Sequence, residues 1–229
     1  MARLPRLSVA CLPHHVIWCS LAHQPLFLDD ADRRQFLLFL SEQSHVHAVS
    51  LQAYVLLDHE VQLLGTPETS QGLSLMMQGI GRHYVRYFNR RYRRQGTLWE
   101  GRYRCTVVEA GEAELDVMCF MDNEAVRTGC TSSAALFPWS SHAHYRGLIV
   151  DKGLTAPSVY WDLGNTPFAR EAAYAERVAQ DLPADKRARI RDAAMKGWVM
   201  GSAGFIESVQ ALVGRRVIRS RPGRPRKPL

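Results

Sequence analysis

An α+β fold of the ferredoxin-like kind is predicted by three observations. Strand and helix patterns follow one another in the order βαββαβ, an apolar hairpin sits in the middle of the chain, and a long amphipathic helix follows that hairpin. In such a core a four-stranded antiparallel sheet packs its helices on one side. The boundaries expected are a core domain over residues 1–150, a helical extension over 151–213 and a disordered basic tail over 214–229.

The first strand is expected over residues 14–21, between Pro13 and the Gln24-Pro25 loop. His14 and His15 are adjacent and so face opposite sides of a strand, which makes them a poor joint ligand and a structural pair. Asp29, Asp30 and Asp32 open a helix, where acids in the first turn suit the dipole, and Phe36, Leu37, Leu40 and Ser44 form its stripe. The hairpin runs from about 49 to 66 and turns at Asp58-His59. Period-2 geometry puts Glu60, Gln62 and Leu64 on one face of its second strand and Val61 and Leu63 on the other. A carboxylate and an amide side by side on an apolar strand need hydrogen bonds, a cation or water, because burying them unpaired costs several kcal/mol.

Thr69 or Ser70 caps the long helix, whose Leu73, Met76, Met77, Ile80, Tyr84, Tyr87 and Phe88 repeat at helical spacing. Its other face carries Arg82, Arg86, Arg90 and Arg93 at steps of about 6 Å, close to the phosphate spacing along a nucleic-acid strand. Gly79-Ile80-Gly81 lies inside this helix and is discounted as a dinucleotide loop. A glycine-punctuated loop over 96–104 then sets Trp99 and Tyr103 among Arg94, Arg102 and Arg104, a combination that stacks bases and grips phosphates unless Trp99 plugs the core. A strand ends near Val108, and a helix over about 111–127 places Asp116, Phe120, Glu124 and Arg127 on one face. Beyond a weakly patterned stretch to Pro167, helices are expected over 169–180, 184–200 and 202–213. They are placed to dimerise, to brace the tail or to cover the sheet.

Charge is concentrated. Residues 79–104 carry eight Arg against one acid and residues 214–229 carry six Arg and one Lys against none, so a chain of net charge +7 is basic in two segments and acidic elsewhere. That distribution suits a polyanion bound along a directed footprint. In the tail, Gly223-Arg224-Pro225 with Arg215, Arg216, Arg221, Arg226 and Lys227 around it looks like the core of an AT-hook, although Pro222 stands where such hooks carry Arg. No apolar run approaches the roughly 18 residues of a membrane span. Residues 1–12 lack the apolar core of a secretion signal, and the five cysteines form no CxxC pair, so a cytoplasmic protein with reduced thiols and no zinc is expected.

With these segments placed, the chain resembles the REP-associated tyrosine transposases, relatives of the single-tyrosine HUH transposases of small insertion sequences. The carriers are Pro13-His14-His15-Val16-Ile17, Tyr54-Val55-Leu56-Leu57, the run from Gly81 to Arg91, Gly96-Thr97-Leu98-Trp99-Glu100-Gly101-Arg102-Tyr103, Pro138-Trp139-Ser140-Ser141 and the basic tail. The resemblance implies DNA transposition: single-stranded DNA recognised through a hairpin, two strand histidines and a helix amide holding a divalent metal, and a helix tyrosine attacking the scissile phosphate. At the positions the resemblance assigns, this chain reads Glu60-Val61-Gln62 for His-hydrophobe-His, Glu124 for the helix ligand, Phe120 for the tyrosine and Cys19-Ser20-Leu21 for the usual Arg-Gly-Asn loop. His59 is one place too early and faces the wrong way.

Three readings remain open. The chain is a DNA-binding protein that has lost cutting, or a nickase using Glu60, Gln62 and Glu124 as an all-oxygen site for Mg²⁺ or Mn²⁺, or a ferredoxin-like RNA binder. The partner expected is single-stranded or hairpin DNA, bound by a monomer or a homodimer.

Overall fold

The computed structural model describes residues 7–218, built around one four-stranded antiparallel sheet in the order β2-β3-β1-β4. The strands are β1 (His14–Cys19), β2 (Val49–Leu56), β3 (Glu60–Pro67) and β4 (Arg104–Val107). Helices α1 (Asp30–Val46) and α2 (Gly72–Arg91) complete the βαββαβ unit. The hairpin turns at Asp58-His59 as expected. Glu60 pairs with Cys19 and Gln62 with Ile17 across β1, while Val55 lies opposite Gln62 on β2.

Alternation decides what each face of the sheet meets. Val16, Trp18, Leu56, Val61 and Leu63 point to one side, against Phe36 and Leu40 of α1 and Met76, Met77, Ile80 and Tyr84 of α2. Helix α1 starts where Asp29 accepts from the Asp32 amide, a side-chain cap in the expected place. Its Asp32, fully buried, is met by Arg91 at 2.6 Å, Tyr92 at 2.8 Å and Tyr87 at 3.0 Å, which ties α1 to the end of α2. Gly81 permits the close seat of α2, since a Cβ there would lie 2.7 Å from the Trp18 ring.

The second face is covered too, which the order of strands and helices does not specify. Ala53, Val55 and Leu64 pack against Leu115, Met118, Cys119 and Phe120 of α3 (Glu112–Asp122). Asn123 breaks the helix expected over 111–127, and Glu124 opens a separate turn, α4 (Glu124–Arg127). The weakly patterned stretch holds two further single turns, α5 (His142–Tyr145) and α6 (Ser158–Trp161). Within it Leu56 and Tyr54 exchange backbone bonds with Trp139 and Ser141, so the Pro138-Trp139-Ser140-Ser141 motif covers the free edge of β2.

Helices α7 (Pro167–Gln180), α8 (Ala184–Lys196) and α9 (Ala203–Leu212) follow close to their expected limits. Of the three roles open to them, covering the sheet and bracing the start of the tail are both seen: Val217, in the stretch expected to be disordered, is buried beside Val199 and Val209 and donates its amide to the Gln210 side chain of α9 at 3.0 Å. Ile190 of α8 joins the α3-side core, and Met200 donates its amide to Val107 of β4 at 2.9 Å. Among the described residues no helix is long and apolar enough to cross a membrane.

Candidate functional site: an ion-paired pocket and a cationic groove

Glu60, Gln62, Phe120 and Glu124 converge on the α3 side of the sheet. Glu60 and Gln62 arrive there by strand alternation and Glu124 by the turn that begins α4. The Gln62 amide donates to Glu60 at 2.7 Å and to Glu124 at 3.2 Å. His15, from β1, meets the Gln62 carbonyl at 2.9 Å, and its ring stands edge-on to Phe120 with centroids 6.0 Å apart. Burial lowers the His15 pKa to about 4, so the ring is neutral at physiological pH and donates from Nε2. The Gln62 carbonyl is thereby occupied and its NH₂ is turned toward the carboxylates.

Two arginines complete the pocket. Arg191, from α8, reaches Glu60 at 2.7 and 3.1 Å and Glu124 at 3.2 Å. Arg127 donates to the other Glu124 oxygen at 2.7 Å and lies 4.7 Å from the centre of the Phe120 ring. Burial opposes the charge on Arg191, but the bonds to Glu60 and the two carboxylate charges outweigh it and raise its pKa. The two carboxylates are thus neutralised by two guanidiniums. Of this set, sequence reasoning missed Arg191, which is 131 residues from Glu60, and His15, set aside as structural. His14 is structural, donating to the Leu12 carbonyl at 2.7 Å.

This arrangement does not fit a divalent metal. Such an ion needs free oxygen lone pairs, and here Gln62 presents N–H groups while Arg191 fills the space between the carboxylates. Among the described residues no group of three or more His, Cys, Asp and Glu side chains is disposed to hold a metal ion. Phe120 has no hydroxyl, and burial pushes the thiols of Cys19 and Cys119 up to about 12, which keeps both protonated. Tyr103 is buried in the core on the opposite side of the sheet. The pocket opens into a cleft of about 810 Å³ beside Cys19, His59 and Cys130.

A second concavity, a groove of about 740 Å³, lies on the α2 side. Arg82 and Arg86 of α2 form one wall and Arg102 of the glycine-punctuated loop the other. All three are exposed, as are Arg90, Arg93 and Arg104. Among the described residues, Arg82, Arg86, Arg90 and Arg102 make no ion pair.

Several expected contacts change here. Helix α2 ends at Arg91, so Arg93 lies past its C-cap with φ at +51° and is not a rung of the ladder. Trp99 is 4% exposed and stacks on Trp18 with centroids 3.7 Å apart, making it a core plug that shows the groove little of its ring. Arg94 is turned inward, bonded to Gln24 at 3.0 Å, and Arg215 is half-buried against the Gly197 carbonyl at 2.7 Å. Arg216 is exposed, whereas Arg221, Arg224, Arg226 and Lys227 lie outside the described residues.

Comparison with known proteins bears on the fold that carries this pocket and groove. Residues 8–119 match the family model of IS200-like transposases. The solved structure of a REP-associated tyrosine transposase bound to a REP hairpin matches at a TM-score of 0.57 and 11% identity, over 69% of this chain and 93% of that one. An identity so low speaks for the fold alone. A crystal structure of a proposed transposase from Deinococcus radiodurans R1, at 18% identity over 56% of this chain and 92% of that one, has a TM-score of 0.37 and carries no weight. No curated protein matches the chain. On the matched family model and the shared fold, residues 8–119 belong to the IS200-like transposase family.

Proposed function

We propose that this protein binds single-stranded DNA folded into a hairpin and does not cut it. The observation that carries the first half is the groove between α2 and the 96–104 loop. Its Arg82, Arg86 and Arg102 stand in solvent without carboxylate partners, and Arg90 continues the row along α2. Exposed guanidiniums one helical turn apart track a phosphate backbone, and a groove of this size admits an unpaired base between them. The REP hairpin bound by the protein of like fold supports the choice of a folded strand.

The second half rests on the pocket. Strand cleavage by this family's chemistry needs a hydroxyl nucleophile and a cation that draws charge from the phosphate. Phe120 supplies no hydroxyl, and the carboxylates at 60 and 124 are already paired with Arg191 and Arg127. Binding without strand breakage is the activity left.

The test is a competition assay with a labelled DNA hairpin carrying a single-stranded tail, against unstructured single-stranded DNA and a matched RNA hairpin. The DNA hairpin is expected to win and to show a steep salt dependence. Preference for RNA removes the reading, and so does an adduct with labelled DNA that survives denaturation.

A further inference from the structure

Behind the second face of the sheet, Asp122 at the end of α3, His142 of α5 and Tyr174 of α7 form a buried polar trio. His142 Nδ1 donates to Asp122 Oδ2 at 2.9 Å and the Tyr174 hydroxyl donates to the same oxygen at 2.7 Å, while Oδ1 has no partner among the described residues. Asp122 is fully buried and His142 is 3% exposed. A buried carboxylate with one bare oxygen is a costly way to hold a ring. Its effect is to fix the imidazole with a proton on Nδ1 and with Nε2 turned away. Nε2 makes no hydrogen bond among the described residues and is not sealed from solvent, because the ring forms part of the wall of a pocket of about 340 Å³.

We propose that this pocket binds a phosphate monoester, with His142 Nε2 and the Arg146 guanidinium as its principal contacts. Arg146 lines the pocket half-buried and, among the described residues, makes no ion pair and no side-chain hydrogen bond, so its donors are uncommitted. The acid in the wall, Asp181, is already met by Arg127 at 3.0 Å and by Arg187, which offsets its repulsion of an anion. Asn123 donates to the Val178 carbonyl at 2.7 Å and fixes the α7 side of the wall.

The two contacts make different demands on a ligand. Nε2 carries a lone pair, so the ligand must offer a proton, whereas Arg146 carries charge, so the ligand must offer an anionic oxygen. A phosphate monoester does both near neutral pH, since its second ionisation falls at about 6. Whether the shared proton starts on the ring or on the phosphate, one hydrogen bond joins them. Sulfate has the same shape and no such proton, and an internal phosphodiester has none either. The pocket therefore selects a terminal phosphate over the backbone phosphates that exposed arginines grip. A free nucleotide and the phosphorylated end of a nucleic-acid strand both carry that group.

The experiment records the imidazole ¹⁵N signals of the full-length protein at pH 7 while inorganic phosphate, or sulfate at equal ionic strength, is added. The His142 signal is identified by its loss in His142→Asn, whose amide can still donate to Asp122 but has no Nε2. Should that variant fail to fold, the signal is assigned through the contact of the ring with Tyr174. His142 Nε2 is expected to move saturably with phosphate and not with sulfate. Arg146→Gln, outside the buried trio, is expected to weaken phosphate at least about tenfold, the loss of one charge-assisted hydrogen bond. Adenosine monophosphate and a 5′-phosphorylated oligonucleotide then compete with phosphate, beside the same oligonucleotide with a 5′ hydroxyl. Displacement by the nucleotide, by the phosphorylated end or by both sustains the proposal and names the source. No movement at His142, an equal response to sulfate (an adventitious ion only) or an unchanged affinity in Arg146→Gln overturns it. So does displacement by neither competitor, or equal displacement by the 5′-hydroxyl strand. The readout is local to His142, so its outcome is separate from that of hairpin binding.

Discussion

On the α2 side of the sheet Arg82, Arg86, Arg90 and Arg102 stand in solvent and make no ion pair among the described residues, whereas on the α3 side Arg127 and Arg191 are held by Glu60 and Glu124. The same residue type thus does two jobs within one domain. An arginine with no internal partner keeps its donors for a phosphate. One locked to a buried carboxylate neutralises charge inside the protein and has little left for a ligand. Arg91 marks the boundary: it lies in the basic helix, yet it bonds Asp29 at 2.5 Å and Asp32 at 2.6 Å and belongs to the packing of α1 on α2. Counting arginines therefore overstates the DNA-binding surface, and what matters is which of them lack an acid.

The largest expected effect tests the buried side of this contrast by acid. His14 and His15 are fully buried, and burial lowers each pKa from 6.5 to about 4. In the unfolded chain both protonate near 6.5, whereas the folded protein keeps them neutral down to about pH 4. Their contribution to stability is thus present above pH 6.5 and lost as pH falls toward 4, up to about 3 kcal/mol for each. Denaturant midpoints measured from pH 7 to pH 4 check this. A flat profile would mean that these rings are not sealed from water.

Next in size is Trp99→Ala. A tryptophan stacked on Trp18 and 4% exposed is core, so its loss is expected to cost about 3–5 kcal/mol in urea unfolding. If the ring serves mainly as a platform for bases, stability barely moves and DNA affinity falls instead. The opposite pattern is expected of the triple variant Arg82→Gln/Arg86→Gln/Arg102→Gln. It should leave stability within about 0.5 kcal/mol and lower the salt slope of binding to single-stranded DNA by about 2. An unchanged slope would move the DNA off this groove.

Much of this was legible in the sequence, for reasons that are local. Period-2 alternation placed Glu60 and Gln62 on one face without reference to any partner, Asp29 and its neighbours marked the start of α1, and the apolar stripe of α2 fixed which side of that helix is buried. What the sequence hid is pairing at a distance. Nothing near Arg191 announces a carboxylate 131 residues earlier, and its helix carries other exposed charges of the same kind, such as Arg189. A nearby apolar trio, Ile190, Ala193 and Ala194, did mark a buried face, and Arg191 at its edge was the available clue. Trp99 was ambiguous for a related reason: an aromatic among arginines reads alike whether it meets a base or another tryptophan. Only the register that sets Trp99 beside Ser20 puts it over Trp18.

The smallest expected effect is the most pointed. Phe120→Tyr restores a hydroxyl to the ring beside His15 and Arg127. A tyrosine attacks a phosphate only when something removes its proton and draws charge from the phosphate oxygens. His15 is buried with Nε2 committed to Gln62, and Arg191 is committed to Glu60 and Glu124, so neither service is on offer. Phe120→Tyr alone is therefore expected to give no covalent adduct with labelled single-stranded DNA in Mg²⁺ or Mn²⁺, read on a denaturing gel. An adduct from this single change would mean that the carboxylates release Arg191 readily enough for a metal to enter. The contrast between free and committed arginines would then describe the resting protein and not the one bound to DNA.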